Sequence, residues 1–129
     1  MNNKRFKFRA WIKKEKYMLD HRQLMNKFLD LRGNNRKYDP FNDPSLIVMQ
    51  RTGLMDKQGK DIYDGDIVAY WDEELNAPET GSISKVIFER GYFKGQYPIN
   101  HIRYYLDASF VEQYEKIIGN VYENPELFK

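Results

Sequence analysis

Four carboxylates, Asp56, Asp61, Asp64 and Asp66, fall within eleven residues of one another. Such a supply of oxygen ligands suits a hard divalent cation, so a metal-dependent hydrolase is one chemistry to weigh. The spacing argues against it. Counted from Asp61, an EF-hand loop needs a ligand where Tyr63 stands and a glycine where Asp66 stands. Asp beside Gly is also what tight turns require: the carboxylate accepts turn amides, and glycine takes the left-handed backbone. The turn reading is therefore favoured, and no metal is expected. The two histidines, His21 and His101, have no ligand cluster around them and no partner that would make either a base. There is no cysteine, hence no thiolate nucleophile and no disulfide. Glycine-rich phosphate loops and paired-histidine metal helices are missing too. The sequence points to a non-enzyme without a cofactor or a small-molecule substrate.

A third constellation is basic. Arg5, Lys7 and Arg9 alternate with Phe6 and Phe8 and lead to Trp11. Cations interleaved with aromatics suit nucleic acid, where phosphates are neutralised and bases stack. In a strand, however, the two phenylalanines point away from the basic side chains, and Trp11 alone shares their face. A buried Phe face beneath a basic surface is the stronger reading. Arg5, Lys7, Arg9 and Trp11 stand as the nucleic-acid contacts if there are any.

The elements that must position these residues are mostly strands. Aromatics make up 16% of the chain, and together with β-branched residues they favour pleated surfaces. Phe6, Phe8, Ala10 and Ile12 form one face of a half-buried strand, and Tyr17-Met18-Leu19 returns as its hairpin partner. Leu24, Met25, Phe28 and Leu31 predict a helix from about Gln23 to Arg32, stopped by Gly33. The Gly-, Asn- and Pro-rich stretch 33–44 reads as a loop, and Leu46–Met49 as the start of a second β region. The chain is expected to be one unit with two sub-lobes, a basic one over 1–37 and a barrel-like one over 45–129.

Asp56-Lys57-Gln58-Gly59 has the signature of a type I turn closed by a glycine bulge. Asp64-Gly65-Asp66 makes a second reversal before Ile67–Trp71, so three strand pieces are predicted to form one strongly bent sheet. Ile83–Phe88 predicts a strand. The aromatic stretch from Tyr92 to Tyr114 predicts at least one more, and Lys116–Val121 another with a bend at Gly119. Asn124-Pro125-Glu126 reads as an N-cap followed by a terminal turn of helix. The fold class is mainly β, with small bent or barrel-like antiparallel sheets and a short helix in the N-terminal third.

Charge is unevenly spread. Residues 1–37 hold 12 of the 21 Lys and Arg and 3 of the 19 Asp and Glu, a surplus of nine positive charges, which leaves a surplus of seven negative on the remainder. Complementary halves suggest self-association as a homo-oligomer that weakens with salt, because exposed charges are screened beyond about 10 Å at 0.1 M. The first residues do not resemble a signal peptide, and no stretch is apolar enough for a membrane span, so a cytoplasmic location without membrane contact is expected.

Three segments carry a resemblance. Lys7–Trp11, Met49–Val68 (MQRTGLMDKQGKDIYDGDIV) and Ile118–Leu127 (IGNVYENPEL) resemble the YopX family, small proteins encoded mainly by bacteriophages and prophages of low-GC Gram-positive bacteria. The family usually has an aromatic in place of Arg51 and a lysine in place of Met55. Both departures precede the Asp56 turn and leave it intact. The resemblance implies a mainly β fold of small barrel-like pieces. Family members have no established biochemical activity, so no catalytic residue carries over. The shared positions Gly53, Asp56, Gly59, Gly65, Asp66, Gly119, Asn124 and Pro125 read as architecture. The leading expectation is a non-enzymatic phage or prophage accessory protein that binds a partner, with nucleic-acid binding as the alternative.

Overall fold

The computed structural model describes residues 7–32 and 39–129; Arg5, Phe6 and Gly33 lie outside them. Period-two alternation builds β1 (Phe8–Ile12), whose Ala10 is fully buried. A turn returns the chain as β2 (Tyr17–Leu19), antiparallel to β1 with Leu19 opposite Ala10. Helix α1 (His21–Arg32) begins two residues before the expected start at Gln23. The cause is a capping box: the Asp20 carboxylate accepts the Gln23 N–H at 2.8 Å, and the Gln23 side-chain oxygen accepts the Asp20 N–H at 3.0 Å. Leu24 joins Ala10, Leu19 and Leu46 in a small core, with Phe8, Ile12, Met25 and Val48 packed on it.

The strand expected from Leu46 forms as β3 (Leu46–Met55); it pairs antiparallel with β1, Val48 opposite Ala10, and so extends the first sheet. Contacts divide the chain into two units, Met1–Arg51 and Thr52–Lys129. The division falls inside β3, whose first half is bonded to β1.

In the second unit the Asp56 carboxylate accepts the N–H groups of Gln58 and Lys60 at 2.9 and 3.0 Å, and Gly59 takes φ +80°. This turn delivers β4 (Asp61–Tyr63), so the first sheet runs β2-β1-β3-β4. The expected bent sheet of three successive pieces does not form. At Asp64-Gly65 the chain leaves that sheet, and β5 (Asp66–Asp72) enters another. The reversal uses Gly65 at φ +91°, and the Asp66 carboxylate accepts the Tyr63 N–H at 2.7 Å.

The second sheet is antiparallel, with order β10-β5-β7-β8-β9, from β7 (Ser84–Glu89), β8 (Tyr92–Gln96), β9 (Arg103–Tyr105) and β10 (Glu115–Asn120); β6 (Ala77–Pro78) pairs with the end of β5. Strand β5, covered on both faces, buries Asp66 to Ala69. Ile62, Val68, Val86 and Val111 form the core, with Leu54, Phe93, Leu106 and Ile117 against it. The fold is mainly β, two curled antiparallel sheets with a helix in the N-terminal third.

The stretch 92–114 holds two strands and a helix that the aromatic pattern hid, α2 (Ala108–Tyr114). Its signal was Asp107, whose carboxylate caps the N–H groups of Ser109 and Phe110 at 3.0 and 3.3 Å. The bend in β10 is a register slip between Ile117 and Gly119. Asn124 precedes a 3₁₀ turn at Pro125–Leu127, but its side chain does not cap that turn. Its oxygen instead accepts the Asn120 N–H at 3.2 Å, and a Cβ at position 119 would lie 2.5 Å from that oxygen.

Candidate functional site

Lys7, Arg9 and Trp11 are half-buried, and Arg9 and Trp11 are already engaged within the protein. The four carboxylates do not converge either. Asp56 is 2% exposed and gives its second oxygen to the Ile117 N–H at 3.0 Å, while Asp66 is spent on the Tyr63 amide. Asp61 and Asp64 are half-buried and have interactions of their own. Among the described residues no three His, Asp or Glu side chains are grouped as metal ligands would be. Gly53 is exposed, at φ +89°. His21 accepts the Phe8 N–H on Nδ1 at 3.1 Å, and His101 is bonded to the Gln96 carboxamide at 2.9 Å.

The second unit brings together a different set. A cavity of about 540 Å³ opens between β5, β9, α2 and the segments preceding β7 and β9. Tyr70, Tyr97, Tyr104 and Phe110 form its walls, and Glu115 lies beneath them. Tyr97 and Tyr104 face each other with ring centroids 5.1 Å apart. Tyr70 is backed by Tyr114, stacked at 5.6 Å, and by Phe110 at 6.2 Å. Glu79 and Asp107 also line the cavity, so its three charge-bearing side chains are all acidic.

Glu115 is held from both directions. It opens β10 opposite Tyr70, its N–H donates to the Val111 carbonyl, and its carbonyl accepts the Lys57 N–H at 2.8 Å. The turn that Asp56 organises is therefore bonded to the residue under the cavity. Glu115 is 4% exposed, and its Oε2 is buried with no hydrogen-bond partner among the described residues. Burial pushes its carboxyl up to about 7.

Tyr104 carries the opposite wall. It lies across the sheet from Gly95, and its hydroxyl bonds to the Ser84 Oγ at 2.6 Å. Burial first, and then the charge of Glu115, push the Tyr104 hydroxyl well above the ordinary tyrosine range. Raised in this way, the Tyr104 hydroxyl keeps its proton at neutral pH. A side chain at position 95 would collide with the Tyr104 ring. Gly95→Ala is expected to lower stability by about 1–3 kcal/mol, the usual cost of overpacking. Urea unfolding checks this, with the Tyr104 ring signals expected to move in the folded protein.

Tyr70, Tyr97, Tyr104, Phe110 and Glu115 were not candidates from sequence. The available signal was aromatic density from Tyr92 to Tyr114 beyond what alternating burial needs, ending on an acid at the start of a strand.

Similar proteins agree with this architecture. The crystal structure of protein EF1440 from Enterococcus faecalis superposes with a TM-score of 0.66 at 24% identity, covering 95% of this chain and 97% of that one. That of protein yopX from Bacillus subtilis gives 0.54 at 16% identity, covering 97% and 99%. No significant match is found among curated proteins. The family described as YopX protein matches residues 7–129, which is nearly the whole sequence, and the chain belongs to that family.

Proposed function

We propose that this chain is a non-enzymatic binding protein, an accessory product of a phage or prophage, that receives its ligand in the cavity above Glu115. One observation carries the reading: a carboxyl 4% exposed, with one oxygen unpartnered, lines an aromatic-walled cavity. A buried polar group without a partner costs roughly 1–3 kcal/mol of folding stability. A ligand donor that meets the Glu115 carboxyl from the cavity offsets part of the cost of its burial. The aromatic walls are a usual way to bury most of a small group while a few polar atoms fix its orientation.

The test is a fragment screen followed by the backbone amide NMR spectrum, with neutral, cationic and anionic fragments. Binders are expected to move the amides of Tyr70, Tyr97, Tyr104, Phe110 and Glu115 together. A screen in which no fragment moves that set would overturn the reading.

A further inference from the structure

The cavity favours one sign of charge. Glu79, Asp107 and Glu115 line it, and among the described residues no Lys, Arg or His does. The lysines of the neighbouring turn and strand are engaged elsewhere: Lys57 with Glu73, and Lys116 over the Trp71 ring at 4.0 Å. Asp107 spends one carboxylate oxygen on the cap of α2, so Glu115 below and the exposed Glu79 at the side are the acids best able to meet a ligand. The walls between them are electron-rich ring faces, which attract cations within about 6 Å of the ring centre.

We infer that the cavity takes an organic cation, a primary alkylammonium held among the tyrosine rings with its nitrogen at the Glu115 carboxyl. The inference rests on the binding role proposed above and names the chemistry of the ligand. An ammonium brings three donors and no acceptor, matching a lining whose charged groups are all carboxylates. Its alkyl stem suits aromatic walls, as lysine stems lie along apolar surface elsewhere. A phosphate-bearing ligand fits poorly, since every charge on the lining repels it. The ammonium can come from a free diamine or from a lysine side chain on a polypeptide, and the two share this chemistry.

Titration of Glu115 gives the inference a signature. The titratable groups that line the cavity with it are Tyr70 from β5, Tyr97 from the segment after β8, Tyr104 and Tyr105 from β9, Glu79, and Asp107 at the cap of α2; none of these is a cation. The carboxyl, raised to about 7, is mostly protonated at pH 6 and mostly ionised at pH 8. A cation binds the ionised form, so affinity is expected to rise over that interval, with proton release on binding at pH 6.

The experiment is isothermal titration of the whole protein at pH 6 and pH 8 with four probes: cadaverine, Nα-acetyl-lysine-N-methylamide, n-butanol and butyrate. At least one of the two amines is expected to bind, more tightly at pH 8. Glu115→Gln should weaken binding by about tenfold, the loss of one charge-assisted contact, and remove the pH dependence. Glu79→Gln, at an exposed position that leaves the interior intact, should weaken it less. Binding of cadaverine alone identifies a free amine, and binding of the lysine derivative identifies a side chain. If butanol or butyrate binds and neither amine does, the cation inference falls and the binding role stands. If none of the four binds, the inference falls, and a flat fragment screen then removes the binding role as well.

Discussion

Glu115→Gln is expected to stabilise the protein at pH 8 by about 3 kcal/mol and to leave it nearly unchanged at pH 4. The sign follows from the direction of the shift. Burial raises the Glu115 carboxyl from 4.5 to about 7, so the folded state holds a proton that the unfolded chain gives up. Stability from this group is complete below about pH 4.5 and is lost as the pH climbs through about 7. Above that, the native state carries a buried charge, which the glutamine removes. For a chain of this size the difference corresponds to a rise in melting temperature on the order of 10 °C at pH 8. Melting curves of both proteins at half-unit steps from pH 4 to 8 should converge at the acid end and separate at the alkaline end. Parallel curves would mean that Glu115 titrates as an ordinary surface acid.

Asp56→Ala is expected to cost about 3–5 kcal/mol, because one 2%-exposed carboxylate accepts three backbone amides and each charge-assisted bond contributes about 1.5–3 before relaxation. The methyl group leaves the N–H groups of Gln58, Lys60 and Ile117 to find water or remain unbonded. Asp56→Asn retains an acceptor and should lose less. Urea denaturation gives the comparison directly. The loss should also reach the cavity, because Lys57 in the same turn bonds the Glu115 carbonyl. The Tyr70 and Tyr104 resonances are therefore expected to broaden or move in Asp56→Ala.

Local chemistry was legible in the sequence wherever one residue type had one conformational use. The Asp56–Gly59 turn, the reversal at Gly65 and the alternation over Phe8–Ile12 all specify geometry within a few residues. What a local pattern does not state is which sheet a strand joins. Leu46–Met49 is an apolar run whether it opens a new lobe or, as here, pairs with β1. The same holds for Asp64-Gly65, where a sharp reversal serves a hairpin or a crossing between sheets equally well. Helix α2 was masked because Phe110 and Tyr114 are good strand residues, and tertiary packing overrode that weak preference. The cavity was least legible of all, since Tyr70, Tyr97, Tyr104 and Glu115 meet only after β5, β9 and β10 have taken their places. The Asp56 carboxylate is a case in between. Its turn partners lie within four residues, but its bond to Ile117 spans 61 positions and leaves no trace in composition or period.

That span has a consequence for how the chain is made. The segment carrying Asp56 is synthesised well before β10, and 61 further residues separate it from the amide it is waiting for. At about 5–20 residues per second, translation alone imposes a delay of roughly 3–12 s. During that interval the hairpin can close on its own turn amides, but its third bond cannot form and its burial is incomplete. The most recognisable stretch of the family is thus the tip of a latch whose catch arrives last. Chains truncated before Ile117 should remain open to proteases at the hairpin, and complete chains should become resistant in a single step.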